Sequence, residues 1–271
     1  MSNSETLVDS KDSPLCLTVD VIIPTWNRGD LLSRAVRSAL HQGPHVRRIL
    51  VVDNGTTPAK LDATIDSRIQ IISSRPCIGA SGARNLGVSI ATSDIVAFLD
   101  DDDYWEMGYL ASAVPLFKQG ADIVVGKLLR MDDGGQPRDY KLLDDSCAGL
   151  RRVYYRNPGI GGQNILVRRR FFHAVQGFDA TMPASNDRDF AARALQAGAV
   201  IRVQPAARAV LCDHGGPRVR HNQVKGNYRF IRKHWKHMMW SERAFACYIL
   251  MARVIRMHLR SIGKMVESNN R

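Results

Sequence analysis

At 271 residues, 45% hydrophobic and 24% charged, the chain has the make-up of a globular protein with a sizeable core, which excludes a disordered or fibrous one. Five scattered cysteines without a CxxC spacing exclude a disulfide framework and a zinc site and fit a reducing cytoplasm, and the longest uncharged apolar stretch, Ala244 to Ala252, is too short to span a bilayer. The formal net charge of +12 is carried by residues 201–271, with 15 Lys and Arg against 3 Asp and Glu, so a neutral body is joined to a basic module suited to an anionic partner.

Residues 1–16 lack the basic-then-apolar pattern of a signal peptide and read as a flexible lead-in. Apolar or β-branched runs follow at Val19–Pro24, Ile49–Asp53, Ile69–Ser73, Ile95–Asp100 and Ile123–Val125, separated by segments of helical period. This alternation predicts an α/β layer with a mostly parallel sheet, and Leu31, Leu32, Ala35, Val36, Ala39 and Leu40 mark one helix face packed on it. Asp132 to Gly135 reads as a hairpin turn that ends the alternation. Beyond it come a glycine-rich loop at 159–162, a short strand at Asn164–Val167 and a helix at Arg168–Val175. A further helix is predicted at Asp187–Ala197, stopped by Gly198. Ser185 or Asn186 would cap it, leaving Asp187 and Asp189 in the first turn, where the helix dipole favours carboxylates. The expected organisation is therefore a lead-in at 1–16, an α/β half at 17–128, a second half at 129–216 and a basic helical extension at 217–271.

The densest chemistry is the tetrad Asp100 to Asp103, delivered by the apolar run Ile95 to Leu99 and followed by Tyr104 and Trp105. A buried strand brings such a cluster to the edge of an open sheet, where ligands bind. Four adjacent carboxylates repel one another, and a divalent cation with a taste for hard oxygen, Mn2+ or Mg2+, relieves that repulsion. The plainer alternative is a solvated acidic turn.

Five stretches, taken in order, resemble glycosyltransferase family 2. They are Val21-Ile-Ile-Pro-Thr-Trp-Asn-Arg28, Val51-Val-Asp-Asn-Gly-Thr56, Gly82-Ala-Arg-Asn-Leu-Gly87, Phe98-Leu-Asp-Asp-Asp-Asp103, and Gly177-Phe-Asp179 with Asn186-Asp-Arg-Asp-Phe190. The resemblance covers residues 17–216 and implies a GT-A fold with a nucleotide-sugar-binding half at 17–128 and an acceptor-binding half at 129–216, an inverting transfer from a uridine or thymidine diphosphate sugar, and a divalent metal. It implies that Pro24, Thr25, Asn27 and Arg28 line the base pocket and that Asp53 accepts the imide hydrogen, with a turn cap as the alternative for Asp53. Arg84 would pair with the diphosphate, or else form a surface salt bridge. Asp100 and Asp102 would form the DxD pair, Asp102 on the metal, Asp100 on ribose or the metal's waters, with Asp101 beside them at the donor. His214 would help hold the metal or diphosphate, or be merely hydrogen-bonded. Asp187 would be the base that deprotonates the acceptor, with Asp189 as the alternative, and Asn186 stands where the family carries Glu.

Past His221 the resemblance fades. Arg253, Arg256, Arg260 and Lys264 form one stripe of a helix whose other sides carry Tyr248, Met251, Ile255, Leu259 and Ile262. Such a helix either meets an anionic membrane surface, which would place a lipid-linked acceptor there, or packs on the body with its basic face in water. The resemblance implies a nucleotide-sugar donor and a saccharide or lipid-linked acceptor, and the expected location is cytoplasmic, peripheral to the membrane where the tail meets it. A phosphotransferase and a sugar nucleotidyltransferase fit less well, since the tetrad lies on the fourth strand and no Gly-rich entry loop follows the first. A nucleic-acid binder is the reading from a different class, but no recognition motif accompanies the charge, so no specific nucleic acid is expected.

Overall fold

The computed structural model describes residues 17–61, 66–212 and 222–269. Its first half contains β1 (Val19–Thr25), α1 (Gly29–Leu40), β2 (Val46–Asp53), β3 (Ile69–Ser73), α2 (Gly79–Ile90) and β4 (Ile95–Phe98). β5 (Tyr104–Trp105), α3 (Tyr109–Ala113), α4 (Pro115–Lys118), β6 (Ile123–Met131), β7 (Pro137–Lys141) and α5 (Cys147–Arg151) follow. The chain continues through β8 (Ile165–Arg168), α6 (Arg169–Ala174), α7 (Asn186–Gln196), β9 (Ile201–Leu211), α8 (Asn222–His234) and α9 (Trp240–Asn269).

The described strands form one mixed sheet in the order β3-β2-β1-β4-β8-β6-β9-β5, with β7 paired to β6. Because strand side chains alternate, each inner strand feeds two cores. Ile22, Leu50, Val52, Val96 and Phe98 join Ala83 and Val88 of α2 and Phe190 of α7. Val21, Ile23, Ile49, Val51 and Ala97 join Leu32, Ala35 and Val36 of α1 and Tyr109 of α3. The expected parallel layer is present in β3-β2-β1-β4. Beyond β4 the sheet becomes mixed: β8 runs antiparallel between β4 and β6, and β9 runs parallel to β6. The chain therefore brings the carboxyl ends of β1, β2 and β4 to one edge, and Leu99 still donates its N–H to the Ile22 carbonyl just before the tetrad leaves the sheet.

The predicted hairpin joins β6 to β7. Ser185 occupies the cap position of α7, but in the left-handed region (φ 67) and without a side-chain hydrogen bond, so neither expected cap oxygen closes that helix start. Of the basic tail, α8 packs on the body. Phe230 and His234 are buried, and Asn227 accepts from the buried Arg188, whose guanidinium lies 3.8 Å from the Phe230 ring centroid. Cys77, Cys147, Cys212 and Cys247 are free thiols, as expected, and no helix of the described residues is long and apolar enough to cross a membrane.

Candidate active site

The four aspartates after β4 are held differently, with Arg28 shared between Asp101 and Asp102. Asp101 is buried and accepts from the Thr25 hydroxyl (2.8 Å) and more distantly from Arg28 (3.4 Å). Burial pushes its carboxyl up to about 6, with Thr25 and Arg28 pulling down and Asp102 and Asp100 pushing up. Asp102 accepts from Arg28 at 2.6 Å, Asp100 pairs with Arg84, and Asp103 accepts the Cys212 backbone N–H at 2.9 Å. One oxygen each of Asp100, Asp102 and Asp103 lies within 4.8 Å of the others. Asp103 is the member that sequence reasoning left out, although it lies within the tetrad. His214 falls outside the described residues.

Arg84 links this cluster to the second half of the chain. It projects from α2, a helix seated close to the sheet because Gly87 lies against Ile22 and Val52. Its guanidinium is buried over the Phe178 ring, pairs with Asp100, and lies 3.8 Å from Oδ1 of Asp187. The Gly162 backbone approaches so closely that a Cβ there would strike the guanidinium. Burial works against the Arg84 charge, but Asp100 and Asp187 hold its pKa above the ordinary value.

Asp187 sits in the first turn of α7. Its Oδ1 is shut off from water and accepts no hydrogen bond, although the side chain is 28% exposed. Burial pushes its carboxyl up, Asp100 adds to that, and Arg84 opposes it. Asp189, two residues on, faces the opposite way, fully buried against Arg193 (2.8 Å), His234 (2.9 Å) and Lys233 (2.8 Å). Burial alone would raise it, yet hydrogen bonds from His234 and Lys233 and the Arg193 charge hold it well below the usual carboxylate range. Asn186 donates to the Ser81 hydroxyl and to the carbonyls of Asp179 (3.2 Å) and Met182 (3.3 Å), so its amide fastens α7 to α2.

Pro24, Thr25, Arg28, Arg84 and Asp100 to Asp102 share one cleft of about 490 Å³. Two predicted residues stand back from it. Asp53 accepts the N–H groups of Gly55 (2.9 Å) and Ala59 (2.7 Å), and Asn27 accepts those of Thr56 and Thr57 (both 3.0 Å), so both fold the loop after β2. Each Asp53 oxygen keeps a second lone pair for a further donor. Asn27 lines a larger cleft of about 990 Å³ on the far side of Arg28, among Arg34, Arg37, His41 and Trp105.

Residues 20–175 match the sequence model of Glycosyl transferase family 2. The chain belongs to glycosyltransferase family 2. It is similar to the Escherichia coli protein assigned to colanic acid biosynthesis as glycosyl transferase WcaA, 28% identical over 239 residues that cover 83% of this chain and 82% of that one. A 90-residue stretch is 40% identical to WfaP of Escherichia coli, named a UDP-Glc:alpha-D-GlcNAc-diphosphoundecaprenol beta-1,3-glucosyltransferase, covering 32% of this chain and 36% of WfaP. Residues 1–349 of S. aureus TarS share the fold, with a TM-score of 0.60 at 16% identity over 79% of this chain and 64% of that one. As a glycosyltransferase of this family, the chain presents hard carboxylate oxygens at the sheet edge, a donor set suited to a divalent cation.

Proposed function

We propose that this glycosyltransferase transfers a sugar, with inversion, from a uridine or thymidine diphosphate sugar to an acceptor hydroxyl. The observation that carries the reading is the position of Arg84, whose one buried guanidinium contacts both Asp100 of the acidic cluster and Asp187. Asp100, Asp102 and Asp103 would hold Mn2+ or Mg2+, which supplies positive charge for the diphosphate leaving group. Arg84 adds its fixed charge beside the diphosphate, and burial makes that charge count for more than it would in water. Pro24 and Thr25 end β1 beside the cleft and present the edge on which the base lies, with Arg28 and Asp101 closing the floor. Asp53 accepts the imide hydrogen with its remaining lone pairs, and Asn27 supports the pocket by holding the neighbouring loop. His214 would complete the diphosphate end.

In the chemical step the bond from C1 to the diphosphate oxygen breaks as the acceptor oxygen bonds to C1 from the opposite face. Asp187 takes the acceptor proton, and the nucleoside diphosphate leaves. An Oδ1 without a hydrogen bond and with a raised carboxyl pKa suits that role. Asp189 is occupied by the charged Arg193 and Lys233 and by a hydrogen bond with His234, and serves to hold α7. The names of relatives, one in colanic acid biosynthesis and one acting on a diphosphoundecaprenol-linked sugar, support an acceptor that is a saccharide or a lipid-linked saccharide in polysaccharide assembly.

The test is a panel of UDP and dTDP sugars with lipid-linked and free saccharide acceptors, the product anomer being read by NMR. Transfer with inverted configuration, lost in Asp187→Asn, supports the reading. Retained configuration, or an undiminished Asp187→Asn, contradicts it.

A further inference from the structure

The last described helix turns its apolar side away from the protein. Glu242 and Ala246 of α9 are buried against the body, and Glu242 is held by Arg151 through two hydrogen bonds of 2.7 and 2.8 Å. At about 100° per residue, Trp240, Tyr248, Met251 and Ile255 fall on the side roughly opposite those two anchors. All four are exposed, at 81, 66, 63 and 52%. Tyr228, Trp235 and Met239, on α8 and the turn after it, are also exposed. A cleft of about 440 Å³ between the two helices is lined by Tyr228, Trp235, Cys247 and Leu250 with Arg232 and Lys236. A soluble surface rarely leaves so many large apolar side chains together without a partner.

Charge decides what that partner is. Residues 222–257 contain eight Lys and Arg and a single acidic residue, Glu242, which is already buried in its pair with Arg151. A second copy docked on the same face would bring two such basic surfaces together. We infer that this face, the outer stripe of α9 with the adjoining α8 aromatics, is a contact surface for an anionic lipid bilayer. Met251 and Ile255 enter the boundary of the acyl region, Trp240, Tyr248 and Trp235 lie at headgroup depth, and Arg232 and Lys236 meet lipid phosphates. Phe245 connects this surface inward, its ring 5.2 Å from that of Tyr155, ahead of the 157–162 loop that ends against Arg84. A lipid-linked acceptor held in the bilayer would thus be presented on the Asp187 side. This last step rests on the proposed glycosyl transfer, whereas the contact surface itself does not.

The experiment is co-sedimentation of the full chain with phosphatidylglycerol–phosphatidylcholine vesicles and with phosphatidylcholine alone. The comparison is a Tyr248→Ser, Met251→Ser, Ile255→Ser triple variant, whose side chains are exposed and whose fold is checked by its melting temperature. The wild type is expected to partition onto the anionic vesicles, and the triple variant about tenfold or more weaker. A second variant, Arg232→Gln with Lys236→Gln, is expected to lose the preference for anionic lipid. Equal partitioning of wild type and triple variant, or no wild-type binding, overturns the inference. So does a wild-type dimer in velocity sedimentation that the triple variant turns into a monomer. UDP-induced thermal stabilisation, followed on the same samples, keeps a failure of the donor site separate from a failure of this surface.

Discussion

Two aspartates, two positions apart on α7, are given opposite character by their surroundings. Asp187 is raised by burial and by Asp100, so it is stabilised neutral, and the stability it contributes is lost as pH rises through its folded pKa. Asp187→Asn is therefore expected to leave the melting temperature at pH 7 unchanged or higher. The same variant should lower kcat by roughly 10²- to 10⁴-fold with nucleotide affinity kept, and remove the acid limb of the pH–rate profile. Asp189 is the reverse case. Its folded pKa lies below the ordinary 3.8, so its contribution is present above that pH and disappears as pH falls through the folded value. Asp189→Asn strands Arg193, Lys233 and His234 and should cost about 3–5 kcal/mol in urea denaturation at pH 7, with the deficit shrinking in acid.

At the scale of elements, α2 sets the position of Arg84, and Gly87 sets the position of α2. A Cβ at Gly87 meets the side chains of Ile22 and Val52, so Gly87→Ala should cost about 1–3 kcal/mol and weaken nucleotide binding by moving Arg84, checked by denaturation and calorimetry. The elements around the donor cleft were legible because their central stretches, Val21–Ile23, Ile49–Val52 and Ile95–Phe98, are buried on both faces and read as unbroken apolar runs. β9 was not. It carries Arg202, Gln204, Pro205 and Arg208, which obscure an apolar pattern, and the register shift opposite Gly126 and Lys127 lets Pro205 sit outside the ladder. β5 has two residues and no pattern to read. Among the site residues, the tetrad and Arg84 were visible as motifs, whereas the turn of Asp53 and Asn27 toward the loop after β2 depends on backbone geometry, including the positive φ of Asn27. Arg193 faces Asp189 at i+4 on α7, but its other two partners, Lys233 and His234, come from α8, beyond the family motifs, and could not be matched to it by spacing.

Across the whole molecule, the two cores on either face of the sheet hold the carboxyl ends of β1, β2 and β4 as a rigid rim, and the tail is partly structural. α8 supplies Phe230 to the core and His234 to Asp189, so a chain ending at residue 221 should lose cooperative unfolding in calorimetry. That places one function of the basic quarter inside the fold and leaves the outer side of α9 for a surface contact. The measurement closest to the central claim is the heat of UDP binding, with and without Mn2+, on the native chain and on Asp102→Ala. Binding that strengthens with Mn2+ and loses that dependence in Asp102→Ala is the predicted result. UDP binding indifferent to both the metal and the substitution, or no response to any nucleoside diphosphate, would contradict the account.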